Sequence, residues 1–473
     1  MYRFRTIDNL LGKNKELENQ EIYFAAQEQL NDPMEGFLNV FWLGDKIVWD
    51  NFLKHYLMCL DTIYFSNLFE LKKTIISSKD IPVHNNRNLY RTNKRKQMVD
   101  EIEKKFNHFQ FIKRLPKYLS EKETGILRYE LLCYLRVIHI YAIDSISSVY
   151  KDHSFLNPLF NKKKLNNLSD FSKTNVELIK LINSYESNNI DALEFEKIIL
   201  SIANKTFYEY DLLIAQKSKN IDISENFKFI LYEFPEAYIS KLELIAYPKW
   251  YTACFMSECS NSSVWGHYGD KHSGVCLKFK TKTTDNKIQL DLNTIYGCNE
   301  NGDIIGMRPH TFHKVNYENK HVEIDFFKSL GRLPVYQLRY QWYTDQDGNL
   351  SSCAEPIDED EEKNKVWLDK YWLNFQNGAT TKLKDWQYEN EYRLLINDML
   401  NDYETPEKRK LKYDFNDLEG IIFGIKTSTS DKIKIIEIIN QKCEEHNRTD
   451  FHLYQAYYSK ENGNIKYEKL NLI

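Results

Sequence analysis

The sequence predicts an α+β fold: a split, mostly antiparallel sheet formed by both chain ends, with a large helical insertion between them. Three observations carry this expectation. Strand-like runs occur at both ends of the 473-residue chain. The stretch between them repeats apolar residues at three- and four-residue spacing. Polar boxes far apart in sequence fall on the end segments, as expected when functional residues gather on the strand ends and loops of one scaffold. The predicted boundaries are 1–44 and 251–473 for the two parts of the core, and 45–250 for the helical insertion.

Residues 2–5 read as a short strand, and Ile22-Tyr23-Phe24-Ala25 as a second. The Asn31-Asp32-Pro33 triplet then forces a turn, because proline fixes its own φ and keeps its predecessor out of the helical region. Within 45–250 a face is formed by Ile126, Tyr129, Leu132, Cys133, Arg136, Val137 and Ile140. Capping boxes are read at Ser120–Glu123, Thr174–Glu177 and Asp191–Glu194, and six to eight helices are expected. The single histidines here, His55, His108 and His139, read as core or surface fill. Ala253–Ser257 and Gly274–Phe279 read as strands, with the helical turn Trp265-Gly266-His267-Tyr268 between them. A helix is expected around 364–375. The tail reads as strand Gly420–Gly424, a helix over 430–445 opened by Ser430 and Asp431, and two strands, 451–458 and 465–471, joined by an Asn-Gly turn.

Composition narrows the function class. Hydrophobic residues make up 42% and charged residues 28%, so the chain is of the globular class. A net charge of −4 supplies no general field toward nucleic acid or anionic lipid. A local basic run, Arg87, Arg91, Lys94, Arg95 and Lys96 with Tyr90 among them, suits phosphate contact or a solvated face. The eight cysteines show no CxxC pair, which reads as reduced thiols without a zinc module. No run of 18 apolar residues is seen, and Met1-Tyr2-Arg3-Phe4-Arg5 has no apolar signal region behind it. A cytoplasmic protein with no membrane partner is expected.

The most informative segment is Trp386-Gln387-Tyr388-Glu389-Asn390-Glu391-Tyr392-Arg393-Leu394-Leu395-Ile396. Read as a strand, it turns Tyr392, Leu394 and Ile396 one way and Glu389, Glu391 and Arg393 the other, with successive same-face side chains about 7 Å apart. Carboxylates that close perturb one another's pKa, and the guanidinium partly offsets them. The bland alternative is a solvated face bearing a surface Glu–Arg pair.

Three boxes together resemble a bacterial domain-of-unknown-function family, number twenty-nine seventy-one. They are Leu30-Asn31-Asp32-Pro33-Met34-Glu35; Phe255-Met256-Ser257-Glu258 with Trp265-Gly266-His267-Tyr268 and Gly274-Val275-Cys276-Leu277-Lys278-Phe279; and Trp386 to Arg393. Members often sit near mobile elements and defence loci. The resemblance names no activity. A strand-borne Arg3, then Ser257, then Glu389-x-Glu391, is in addition similar to the order of functional residues in ADP-ribosyltransferases. That likeness implies an NAD-consuming transferase or glycohydrolase acting as a toxin or antiphage effector. Glu391, Glu389 and Ser257 would be catalytic; Arg3, Trp265, Tyr268, Arg393, Asn31, Asp32 and Glu35 would line the substrate. NAD would be a substrate, no metal would be needed, and the acceptor, protein or nucleic acid, stays open. The chemistry suits these types, since cleaving the nicotinamide–ribose bond passes through an oxocarbenium-like state that a carboxylate stabilises.

Two other readings use the same residues. A metal-dependent nuclease or phosphodiesterase would take Asp32, Glu35, Glu389 and Glu391 as ligands, aided by the basic run. A non-enzymatic protein would bind a partner on its helical block and use the charged strand only to hold the fold together.

Overall fold

A computed structural model describes the chain except residues 33, 70–74, 85–89, 91, 155–211, 213–224, 301, 358–359, 399–401, 462 and 472–473. The capping boxes read at Thr174–Glu177 and Asp191–Glu194, together with Arg87 and Arg91, lie outside the described residues. The fold is α+β. Contacts divide it into two compact units, one comprising Met1–Leu38, Pro248–Val322 and Leu373–Ile473, the other Asn39–Tyr247 and Glu323–Trp372.

The first unit is built on an eight-stranded sheet drawn from both chain ends. In spatial order its strands are His313–Lys314, Glu391–Asp398, Lys249–Met256, Tyr2–Arg5, Val275–Phe279, Leu418–Phe423, His452–Ser459 and Asn464–Leu470. Neighbours run antiparallel, except that Leu418–Phe423 and His452–Ser459 are parallel. A parallel pair needs a crossover, and the helix Thr429–Glu445 supplies it, burying Ile435, Ile439 and Cys443 along one stripe. Its cap is Ser428, whose Oγ accepts the Asp431 N–H at 3.1 Å; the expected start at Ser430 lies inside the helix. Strand alternation sends Phe255, Leu277, Leu394, Ile421 and Leu453 to one apolar cluster. On the other face Phe4, Met256, Cys276, Ile422 and Ala456 pack around the buried Trp265. Both faces of the sheet are therefore covered.

A second sheet joins Glu21–Tyr23, Lys410–Tyr413, Lys287–Asn299 and Lys282–Thr284, with Gly302–Thr311 paired to Lys287–Asn299. A short parallel pair, Asn316–Glu318 with Thr381–Leu383, completes the part of this unit that frames the site. Gly424 is a packing glycine: a Cβ there would lie 2.3 Å from the His272 carbonyl oxygen.

The described helices of the second unit include Lys46–Phe69, Asn93–Phe106, Gln110–Ser120, Arg128–Asp152 and Phe234–Glu243. Ser120 ends a helix here rather than capping the next one, and the following helix starts at Arg128. Arg128–Asp152 is long and apolar enough to cross a membrane by length and composition, although it holds no unbroken run of 18 apolar residues; 72% of its apolar window is buried inside the protein. His55 and His139 fill the interior. Each is bonded through both nitrogens, to Tyr238 and Val83 and to Tyr56 and Ile230, and burial pushes both imidazoles down to about 4. Arg95, read as part of a basic patch, instead clamps the buried Asp61 and lies 4.5 Å over the Phe65 ring.

Candidate active site

The segment expected to be one strand is two elements. Lys384–Glu389 forms a 3-10 turn, Asn390 takes a left-handed conformation (φ 46°), and only Glu391–Asp398 is strand. The alternation beyond that point is as read: Leu394 and Ile396 enter the core, and Glu391 and Arg393 face the other way. This face is closed to solvent. Arg393 is 0% exposed, and Glu389 and Glu391 are 1% exposed each, so a solvated Glu–Arg pair does not describe it.

Three glutamates and two cations meet there. Arg393 Nε donates to Glu391 Oε1 at 2.9 Å and Nη2 to Glu391 Oε2 at 3.2 Å. Its Nη2 also pairs with Glu35, and its Nη1 donates to the Ala379 carbonyl at 2.6 Å. Lys382 Nζ lies 2.8 Å from Glu389 Oε2, 3.4 Å from Glu391 Oε2 and 3.4 Å from Glu35 Oε2. The strand Thr381–Leu383 turns Lys382 inward and leaves its two neighbours half-buried. In register with Lys382 is Tyr317, whose hydroxyl accepts the Glu391 backbone N–H at 2.9 Å. Cys254, in register with Arg393 on the adjacent strand, helps to hold the Glu391 carboxylate ionised.

The carboxylates are driven apart electrostatically. Burial alone would raise all three. At Glu391 the Arg393 and Lys382 charges outweigh it and hold the group at about 2. At Glu389 burial wins over Lys382, and the neighbouring Glu391 adds to the rise. Glu35 is likewise raised by burial, against Arg393. One carboxylate is thus locked in its ionised form while another is poised to bind a proton, the pattern that separates acid–base roles in glycosyl chemistry.

Glu389 is itself buried and is linked to the rim through Tyr268. Its Oε1 accepts the Tyr268 hydroxyl at 2.7 Å, and Tyr268 is half-buried on the helix Ser262–Tyr268, capped by Asn261. Trp386 lies 4.6 Å beneath the Lys382 ammonium. Tyr388 bonds His267 Nδ1 at 3.0 Å, and the His267 and Trp386 rings are 6.2 Å apart. Half-open aromatic rings therefore border a buried carboxylate.

Of the residues read from sequence, Glu35, Glu389, Glu391, Arg393 and Tyr268 converge. Asp32 lies in the turn that carries Glu35. Its Oδ1 accepts the Met34 N–H at 2.9 Å, and its Oδ2 is buried without a partner. Asn31 is exposed. Arg3 does not join them. Tyr2, Met256 and Glu391 are in register across the strands and share a face, so Arg3 faces the opposite side, over Phe255 and bonded to the Tyr23 carbonyl. Ser257 is exposed just beyond its strand, where its N–H bonds the Asn390 carbonyl. Trp265 is a core residue: it is fully buried against Phe4, and its indole N–H donates to the Cys259 carbonyl at 2.8 Å. Lys382, Tyr317 and Cys254 were missed. Three glutamates against one arginine call for a second cation, but 64 lysines and arginines offer no way to choose it.

A metal ion would have to displace the two cations, since Lys382 and Arg393 stand where the glutamate oxygens converge. Among the described residues no group of three or more His, Cys, Asp or Glu is arranged to hold one.

Residues 264–394 match the family described as Protein of unknown function (DUF2971). The DUF2971 segment contains Tyr268, Tyr317, Lys382, Glu389, Glu391 and Arg393, so most of the charged cluster lies within it. Glu35 and Cys254 come from outside. No curated protein and no solved structure matches the chain.

Proposed function

We propose that this chain cleaves the bond between nicotinamide and ribose in NAD, passing ADP-ribose to an acceptor or to water. The observation that carries the reading is Glu389, a buried carboxylate fixed at one oxygen by Lys382 and at the other by Tyr268, beside half-open aromatic rings. In this chemistry the C1′–N bond breaks and its electron pair goes to the pyridinium nitrogen, which leaves as neutral nicotinamide. The sugar carbon becomes oxocarbenium-like, and the ionised Glu389 stabilises it. The acceptor's oxygen or nitrogen then bonds to C1′ and gives up its proton. Glu389 receives that proton, and its upward shift makes it the better base. Trp386 and Tyr388 supply ring faces for nicotinamide. Glu391, Lys382 and Arg393 are positioning residues that fix Glu389. Arg3 and Ser257 have no part in this version of the site. An enzyme that drains NAD in this way would serve as a toxin or antiphage effector.

The test follows free nicotinamide from NAD, with and without cell extract, for the wild-type chain and for Glu389→Gln. Release by the wild type that falls at least a hundredfold in a folded Glu389→Gln variant is the expected result. Equal release by the two proteins, or none from the wild type in any extract, would overturn the proposal.

A further inference from the structure

Glu389 has no open face of its own. Its side chain is buried, with Lys382 Nζ 2.8 Å from Oε2 and the Tyr268 hydroxyl 2.7 Å from Oε1. Lys382 is buried as well, whereas Tyr268 is half-buried. A proton bound for Glu389 therefore has one polar route from the rim, the Tyr268 hydroxyl. An ionised carboxylate only accepts hydrogen bonds, so the Tyr268 hydrogen points at Glu389 and the lone pairs of its oxygen point away. Among the described residues no second hydrogen bond engages that oxygen.

The ring is aimed by its helix. Ser262–Tyr268 is tied to the turn Lys384–Glu389 at two further points. The Asn261 amide donates to the Tyr388 carbonyl at 3.2 Å, and the Tyr388 hydroxyl bonds His267 Nδ1 at 3.0 Å. Burial, reinforced by the Glu389 charge, pushes the Tyr268 phenol far above its usual range. It stays neutral at working pH and passes a proton on only by gaining one as it loses another.

We propose that Tyr268 is a catalytic residue that takes the acceptor's proton and hands its own to Glu389; this rests on the NAD reading. As the acceptor's oxygen or nitrogen bonds to C1′, its proton moves to the Tyr268 oxygen and the Tyr268 proton moves to Glu389 Oε1. Tyr268 ends as neutral as it began, and Glu389 ends protonated. The reverse double transfer, to a water at the rim, resets the pair. The titratable groups facing Glu389 are Lys382, Glu391, Glu35, Tyr268, Tyr317 and Tyr388. Of these the Tyr268 hydroxyl and the Lys382 ammonium favour its ionised form, so Tyr268→Phe raises Glu389 further.

The test measures kcat and KM for nicotinamide release from NAD across pH, for the wild-type full chain, Tyr268→Phe, His267→Ala and Tyr268→Phe combined with Glu389→Gln. In Tyr268→Phe, which keeps the ring, kcat is expected to fall about tenfold or more. KM should stay within about twofold of wild type, and the acidic limb of the profile should move to higher pH. His267→Ala, which breaks only the neighbouring tie, should leave that limb in place. The double variant should be no slower than Glu389→Gln alone, because the two groups act in one chain. A wild-type kcat and limb in Tyr268→Phe would overturn the inference and leave the NAD reading standing. So would a loss confined to KM, or a limb that moves equally in His267→Ala. No release by the wild type would overturn both together, a result distinct from these.

Discussion

Replacing Glu389 by glutamine should abolish nicotinamide release and at the same time raise, or at least preserve, stability near neutral pH. With all groups ionised, Glu35, Glu389 and Glu391 face Lys382 and Arg393, so the buried cluster carries one uncompensated negative charge. Glu389→Gln makes it neutral and keeps an oxygen for Lys382. The pKa directions give the pH dependence. Burial raises Glu389 above its ordinary 4.5, so its contribution to stability is complete below about pH 4.5 and is lost as pH rises through its folded value. Glu391 behaves oppositely. Held at about 2, it contributes stability that is present above 4.5 and lost as pH falls toward 2. Each unit by which Glu389 is raised corresponds to about 1.4 kcal/mol recovered on substitution, or about 2–4 °C in Tm per kcal/mol for a domain of 150–250 residues. Melting both proteins at pH 7.5 and pH 4 measures this. The variant should melt a few degrees higher at pH 7.5, and the gap should close at pH 4. A variant that melts lower than wild type at pH 7.5 but matches it at pH 4 would refute the electrostatic argument and make Glu389 a structural anchor.

Removing the central cation should act in the other direction. Lys382→Met leaves three buried carboxylates with one arginine and should cost about 3–5 kcal/mol, read as a lower urea midpoint. In the second unit, burial raises Asp325 to about 6 and leaves its Oδ1 without a partner. Its contribution is complete below pH 3.8 and lost as pH rises through 6. Asp325→Asn should therefore stabilise the chain at pH 7.5, by at most about 3 kcal/mol, and leave it unchanged at pH 3.5. Gly424→Ala forces a Cβ against the His272 carbonyl oxygen, which should cost about 1–3 kcal/mol in a chemical-denaturation series. It should not alter the pH profile of nicotinamide release.

What was legible in the sequence, and what was not, follows the range of the interactions involved. Alternation along a strand is local, so the opposed faces of Leu394 and Arg393 could be read directly. The same alternation was carried too far upstream, because nothing in Tyr388-Glu389-Asn390 announces that Asn390 adopts a left-handed conformation and ends the strand pattern. That reversal lets Glu389 point into the cluster and still reach Tyr268 at the rim. Strand order is not local. The placement of Tyr2–Arg5 between Lys249–Met256 and Val275–Phe279 fixes a register in which Tyr2, not Arg3, shares a face with Glu391. A one-residue difference of parity thus separates Arg3 from the glutamates with which the sequence order had grouped it. Lys382 was hidden for the converse reason. It lies on a three-residue strand whose neighbours carry no periodic pattern, and its partners Glu35, Glu389 and Glu391 come from other elements. Its identity as a buried cation is a property of the assembled site. The charge balance of the glutamate-rich strand did contain a usable constraint, since a buried excess of carboxylates must either find cations or take up protons. The structure meets that constraint in both ways, with cations at Glu391 and a raised affinity for protons at Glu389. This asymmetry, rather than the count of charged residues, is what the proposed reading uses to cast Glu389 as the reactive member and Glu391 as its support.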